Sequence, residues 1–423
     1  MANATLFSSP ETAPSKPSGR LLSLDVFRGA TILAMILVNN PGEWGEKHQY
    51  WPLDHAPWHG WTPTDLIFPF FLFIVGTSLS YSLRKFRNGA EISPAVYWRI
   101  IRRTALLIFL GWMPSLLLKT IHAFEGIPFD VSELRALGAL SWMPDRLLQT
   151  VSALHHILFS LSDLRIFGVL VRIALVYFCT SLIVLHVPLR GQIALAVVLL
   201  LGYWATLAFL PDPHNYEKNL TNKYNITVVV DRALVGDKHM YHGDSPTEPE
   251  GFLSTFPAIV SALIGYWAGL FIQRRGVNYR TVAMLAICGL ALAAIGQGWH
   301  FAFPINKKLW TSSFVLLTGG LASTVLAACL MTFDIWGWRR LARPFEIVGI
   351  NAIFVFVCSG LLSIALSHNN IGEMTAHGWI YHELITSWIH DPKLASLGMA
   401  ILTVAFWWFV CWFMSRLGWS IRV

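Results

Sequence analysis

Apolar runs of bilayer length dominate this chain. A membrane-crossing helix takes about 20 mostly apolar residues. Ten such runs can be read, at about 22–40, 65–84, 100–118, 168–187, 191–210, 252–273, 281–300, 309–332, 345–367 and 394–415. The first is the weakest, because Asp25 and Arg28 interrupt it. In hydrocarbon, backbone N–H and C=O groups must be paired within the protein, so such runs fold as helices. Only 13% of the 423 residues are charged, against about 25% in soluble domains. The expected class is an all-α polytopic membrane protein, a single bundle of about ten transmembrane helices.

Charge sets the expected orientation. Lys and Arg collect in alternate connections: Lys16 and Arg20; Arg84, Lys85, Arg87, Arg99, Arg102 and Arg103; Arg190; Arg274, Arg275 and Arg280; Arg339, Arg340 and Arg343; Arg416 and Arg422. Cytoplasmic loops carry such a surplus, so the expected topology is N-in and C-in. The same bias accounts for the net charge of +7 and removes the need for a nucleic-acid partner. Residues 1–20, rich in Ser, Pro and Ala, read as a disordered leader, with 21–423 as the transmembrane domain. An amphipathic surface helix is expected near 143–161, and a short strand at ITVVV, 226–230. No strong internal repeat is visible, which weighs against a transporter built from duplicated halves.

The five cysteines, Cys179, Cys288, Cys329, Cys358 and Cys411, fall in apolar runs without a CxxC spacing and read as core residues. HExxH, GxSxG, Walker and metal-ligand spacings are all missing from the sequence. Zinc-protease and P-loop ATPase chemistry are therefore set aside, and no metal is expected.

Polar residues in lipid are costly, so each needs a partner or a task. They concentrate in a few blocks. In SLDVFRGATILAMILVNN (23–40), Asp25 and Arg28 share a helix face, and Asn39 and Asn40 close the helix, the pair reading as a left-handed C-cap or as one member facing a site. In DHAPWHGWTPTDLIFPFF (54–71), Thr62, Pro63 and Asp65 fit a capped helix start, and Pro69 should kink the helix that follows. His55 precedes that helix by ten residues. Held near Asp65, it could act as a general base or nucleophile with a carboxylate fixing its tautomer. Trp51, Trp58 and Trp61 can equally be interfacial.

In NKKLWTSSFVLLTGG (306–320), Lys307 and Lys308 stand on the non-cytoplasmic side, followed by hydroxyls that suit an anionic group. PEGFLSTFPAI (249–259) reads as a capped helix start, GINAI (349–353) sets Asn351 in the membrane, and Arg172 is unpaired in local sequence. From these residues alone, a transporter and a membrane transferase are equally supported.

The first two blocks closely resemble the catalytic region of heparan-α-glucosaminide N-acetyltransferase and its bacterial relatives, a family of transmembrane acyltransferases. PEGFLSTFPAI and NKKLWTSSFVLLTGG resemble further family blocks in the family order. The resemblance implies transfer of an acetyl group from cytoplasmic acetyl-CoA to an amino group of a glucosamine-type sugar or glycan across the membrane. It matches the family's essential histidine to His55, its asparagine to Asn39 and its aspartate to Asp65. It further implies a bacterial-type member in the inner membrane.

On this reading His55 is the base, Asp65 orients it, and Asn39 hydrogen-bonds the thioester oxygen. Arg28, Arg102, Arg103 and Arg172 are candidates for the CoA phosphates. Trp58, His59, Lys307, Lys308 and Asn351 are candidates for the acceptor. A homodimer is compatible with the sequence. An amino-sugar transporter and an O-acetyltransferase of envelope glycans are the alternatives, and both a covalent acetyl-histidine and a direct transfer stay open.

Overall fold

The computed structural model describes residues 21–87, 91–125, 164–210, 212, 214–241, 243 and 245–421. The helix expected near 143–161 lies outside them. Among the described residues, nine helices are long and apolar enough to cross a membrane. A tenth span forms if a bent pair, Arg339–Ile350 and Ala352–His368, is counted as one, with a 68° bend between its halves. The chain is an integral membrane protein, and the sequence-derived spans agree with these helices to within a few residues at most ends.

The helices that build the bundle are α1 (Leu22–Asn39), α2 (Ile67–Ser82), α3 (Pro94–Glu125), α4 (Val169–His186), α5 (Leu189–Phe209), α6 (Ile226–Val235), α7 (Phe252–Arg275), α8 (Tyr279–Trp299), α9 (Ser312–Cys329), α10 (Arg339–Ile350), α11 (Ala352–His368) and α12 (Pro392–Arg416). They are not equally enclosed. The apolar window of α7 is 83% buried and that of α2 67%, whereas that of α3 is 11%. So α7 and α2 form the centre, and α3 lies at the periphery facing lipid.

Lipid tails are as apolar as leucine, so helices in a membrane associate through close packing and interhelical hydrogen bonds. The α2–α7 pair shows how. A Cβ at Gly76 would lie 1.8 Å from the Ala262 carbonyl oxygen, and one at Gly265 would lie 2.0 Å from that of Phe73. Only glycine lets these backbones approach so closely. Thr77 adds a bond across the pair, its Oγ1 donating to the Gly265 carbonyl at 3.0 Å.

Several local expectations are corrected. ITVVV is not a strand but the first half of α6. Asn225 explains the change: its side chain caps α6 by accepting from the Val228 N–H at 3.3 Å and donates to Thr247 Oγ1 at 2.9 Å. A fixed helix start outweighs the β preference of branched residues, which depends on having a sheet to join. Pro69 is not in the interior of α2. It stands in the first turn, after a 3-10 turn over Pro63–Leu66, where a missing N–H is tolerated. Asn40 does not adopt the left-handed conformation. With φ −131° it ends α1 and donates from Nδ2 to the Ile36 carbonyl at 2.8 Å.

The expected ninth span is broken at Asn351. Its Nδ2 donates to the Ile347 carbonyl at 3.2 Å, and its Oδ1 accepts from the Ile421 N–H at 2.9 Å. It thus satisfies backbone groups opened by the bend and ties down the end of the chain. Ile350 and Ala352 on either side line a cavity with Arg28. Asn351 therefore lies far along the bundle from His55 and is not an acceptor contact at that site.

Candidate active site

The segment before α2 carries the centre of the site. Thr62 is extended, with φ −123° and ψ 169°, and Pro63 begins the 3-10 turn. Asp65 then points back at the chain preceding it. Its Oδ2 accepts from the N–H groups of Thr62 and Ala56, each at 3.1 Å. Its Oδ1 lies 2.6 Å from His55 Nδ1. The two oxygens divide two tasks, one holding the helix start and the other the imidazole. With Nδ1–H donating to Asp65, the lone pair remains on Nε2. The Asp65 side chain is 2% exposed and that of His55 46%, so a buried carboxylate holds a ring that solvent and substrate can reach.

Lys307 completes the cluster from the turn before α9. Its Nζ is 3.4 Å from Asp65 Oδ1 and 3.2 Å from His55 Nδ1. Burial lowers the Lys307 pKa, opposed by the charges of Asp65 and Glu250. Lys308 makes no hydrogen bond or ion pair with His55 or Asp65 among the described residues.

Asn306 builds this turn. Buried, it accepts at Oδ1 from the Leu309 N–H at 2.9 Å, while its own N–H donates to Thr311 Oγ1 at 3.0 Å. Trp310 has φ 52°, the one positive value at a non-glycine among the described residues. Such strain persists only where the surroundings enforce it. Here Phe68 and Phe314 pack edge-on against the indole, with ring centroids 5.2 and 5.4 Å away, and the Arg172 guanidinium lies 5.1 Å from it.

Arg172 thus belongs to the packing under the turn. It is fully buried and donates to the Gly251 carbonyl and to Ser254 Oγ. This corrects its assignment to the CoA phosphates, which a side chain without solvent access cannot reach. Trp58 donates from Nε1 to the Leu220 carbonyl at 2.9 Å, bracing the His55 segment against the loop before α6. His59 Nδ1 lies 3.4 Å from Asn306 Nδ2, at the rim of the same turn.

A second cluster stands between α4 and α7. Arg165 binds Glu248 through two nitrogens and Glu250 at 2.7 Å. Its guanidinium also lies 4.7 Å from the Tyr241 ring. Burial works against the Arg165 charge, but Glu250 and Glu248 outweigh it and raise its pKa. Sequence reading missed this arginine, although the Glu-Pro-Glu run at 248–250 signalled carboxylates needing a cation. Arg165 and Asn39 line one cavity of about 320 Å³. Asn39 thus faces the same cavity as Arg165 and forms no hydrogen bond with His55 among the described residues.

Arg28 and Arg103 line a different cavity, of about 500 Å³. Arg28 donates to Ser78 Oγ at 2.9 Å. Ser78 is thirteen residues along from Asp65, roughly 20 Å at the helical rise. The arginine cavity and the histidine cluster therefore sit toward opposite ends of α2. Arg102 is exposed and does not line the cavity.

Asp231 on α6 caps α7, accepting at Oδ1 from the Phe252 N–H at 2.9 Å and the Leu253 N–H at 3.3 Å. Burial raises its carboxyl to about 6, against the pull of those N–H groups and of Arg172. The folded state therefore keeps this proton where the unfolded chain has lost it. Stability should fall as pH rises from about 4 to about 6, by on the order of 2–3 kcal/mol. Asp231→Asn retains the acceptor oxygen and should flatten that fall. Thermal midpoints in detergent across this range check it, and parallel pH profiles for the two proteins would refute it.

A family model described as heparan-alpha-glucosaminide N-acetyltransferase, catalytic, matches residues 20–144, which include His55 and Asp65. The Homo sapiens heparan-alpha-glucosaminide N-acetyltransferase is 28% identical over 389 residues, covering 80% of this chain and 52% of its own length. The Mus musculus protein of the same name is 29% identical over 379 residues, covering 82% and 54%. The chain spans about half the length of the curated relatives it matches. By its family-model match and by both relatives, this membrane protein is similar to the heparan-alpha-glucosaminide N-acetyltransferases.

Proposed function

We propose that the chain is a transmembrane N-acetyltransferase that moves the acetyl group of acetyl-CoA to the amine of a glucosamine-type sugar. The observation that carries this reading is the buried Asp65 carboxylate holding a solvent-reachable His55 ring at 2.6 Å. A thioester is already an activated acyl donor. The protein has to supply position, a base for the acceptor amine and support for the oxyanion.

His55 Nε2 takes the proton from the amine as nitrogen attacks the thioester carbonyl, and Asp65 stabilises the resulting imidazolium. The tetrahedral centre then collapses with loss of the CoA thiolate, which takes up a proton. The Lys307 ammonium offsets the Asp65 charge and stands ready beside a developing oxyanion. CoA supplies the acetyl group from the end of the bundle where Arg28 and Arg103 line their cavity. In the N-in orientation that end is cytoplasmic, and His55 faces the other side. Arg165 and Asn39 border the cavity in which a sugar would bind.

Purified protein given labelled acetyl-CoA should acetylate glucosamine-type acceptors, and no transfer to any amine in a panel would overturn the reading. The same experiment without acceptor decides between routes. Label on His55 indicates a covalent acetyl-enzyme, whereas an unlabelled but active protein indicates direct transfer.

A further inference from the structure

A groove on the far side of α10 from α1 has no part in the chemistry above. Four α10 residues spaced as one helical face line it: Arg340, Arg343, Pro344 and Ile347. From α12 come Trp408, Trp412 and Arg416, at four-residue spacing and so also on one face. Together they enclose a cavity of about 330 Å³.

The lining is graded. The three arginines are exposed, Trp408 and Trp412 are half-buried, and Ile347 is buried. Among the described residues no carboxylate pairs with any of the three arginines. The Arg416 guanidinium instead lies 5.3 Å from the Trp412 ring. Guanidinium forks bind phosphate oxygens in pairs, and tryptophan settles at the level of lipid headgroups. The gradient from cationic to aromatic to aliphatic matches one phospholipid lying along the helices.

We propose that this groove is a specific site for an anionic phospholipid, its phosphate held by Arg340, Arg343 and Arg416 and its acyl chain laid against Trp408 and Ile347. The occupant is a membrane lipid and not a free phosphate, because the apolar half of the groove continues from the basic half. Basic pockets between helices at a membrane surface take such headgroups.

The position has a mechanical consequence. The opposite side of α10 crosses α1 at glycine contacts, where a Cβ at Gly349 would lie 2.1 Å from the Asp25 carbonyl oxygen. The same stretch, Gly349 and Ile350, lines the Arg28 cavity. A lipid in the groove therefore braces a wall of that cavity.

The test is native mass spectrometry of the full chain released from nanodiscs holding equal amounts of phosphatidylglycerol and phosphatidylcholine. Wild-type protein should retain phosphatidylglycerol preferentially. The Arg340→Gln/Arg343→Gln/Arg416→Gln variant should lose that preference by at least about tenfold, as expected for three arginines acting at one surface. Arg274→Gln/Arg275→Gln, at the end of α7, should keep it. Equal retention by wild type and the triple variant would overturn the proposal. So would an equal loss in the α7 control, which would mean general surface attraction, and so would displacement of the lipid by inorganic phosphate. Should the triple variant not be monodisperse, Arg416→Gln alone carries the test, with an expected loss of about fivefold.

Discussion

His55→Ala should lower the rate of acetyl transfer by about 10²–10⁴-fold, the usual contribution of a positioned general acid or base. Folding should be unaffected. The His55 side chain is 46% exposed, and its ring hydrogen-bonds Asp65 at a site whose backbone contacts come from Thr62 and Ala56. Asp65→Asn is the informative companion. It keeps an acceptor for the Thr62 N–H but loses the carboxylate charge 2.6 Å from the His55 ring. Its rate should fall as well, and its stability should drop by more than the about 1 kcal/mol of a weakened cap, because the buried carboxylate also pairs Lys307 at 3.4 Å. Acetyl-transfer kinetics beside melting curves separate the two effects. Wild-type kcat in His55→Ala would remove His55 from the mechanism.

A comparable effect on assembly is expected from one glycine. Gly76→Val would put a branched side chain where a Cβ already lies 1.8 Å from the Ala262 carbonyl oxygen. The opposing atom is backbone of the most buried helix in the bundle, so it cannot swing aside. The helices must part, losing the Thr77 bond across the pair with the packing around it. A loss above about 4 kcal/mol follows, in the range kept for gross core disruption. The protein should elute as aggregate or fail to accumulate. Gly202→Val on α5, where a Cβ meets nothing within 4 Å, should behave like wild type in size-exclusion chromatography and melting. A monodisperse Gly76→Val protein with an unchanged thermal midpoint would contradict this account of the core.

Much of the site was legible because its parts lie close in the chain. His55 and Asp65 are ten residues apart, and a helix-start signature placed the carboxylate pointing backward. Capping and holding the histidine looked like competing uses of Asp65. They are compatible because a carboxylate has two oxygens and the turn presents them in different directions. Lys307 carried a weaker signal, as a cation on the side where cations are sparse. Nothing local could place it against His55, 252 residues away, since that contact depends on the strained Trp310 turn being packed from α2, α4 and α9.

The misread residues share one cause. Arg172 and Asn351 were conspicuous as polar groups at membrane depth, which says that each needs a partner but not which one. Arg172 found a carbonyl and a hydroxyl at the start of α7, and Asn351 found the backbone at a bend. Arg165 went unnoticed because its carboxylates stand 83 and 85 residues further on.

By itself the sequence determined the class of fold and the approximate limits of its spans, because bilayer thickness and backbone pairing act on each segment separately. It also determined the His55–Asp65 pairing, which is local. Only the tertiary structure decided the break at Asn351, the helical state of ITVVV, the seat of Lys307 and the sorting of arginines into structural and cavity-lining roles. Each of those is settled by which backbone group or charge lies opposite, and in a helical bundle that partner comes from a distant part of the chain.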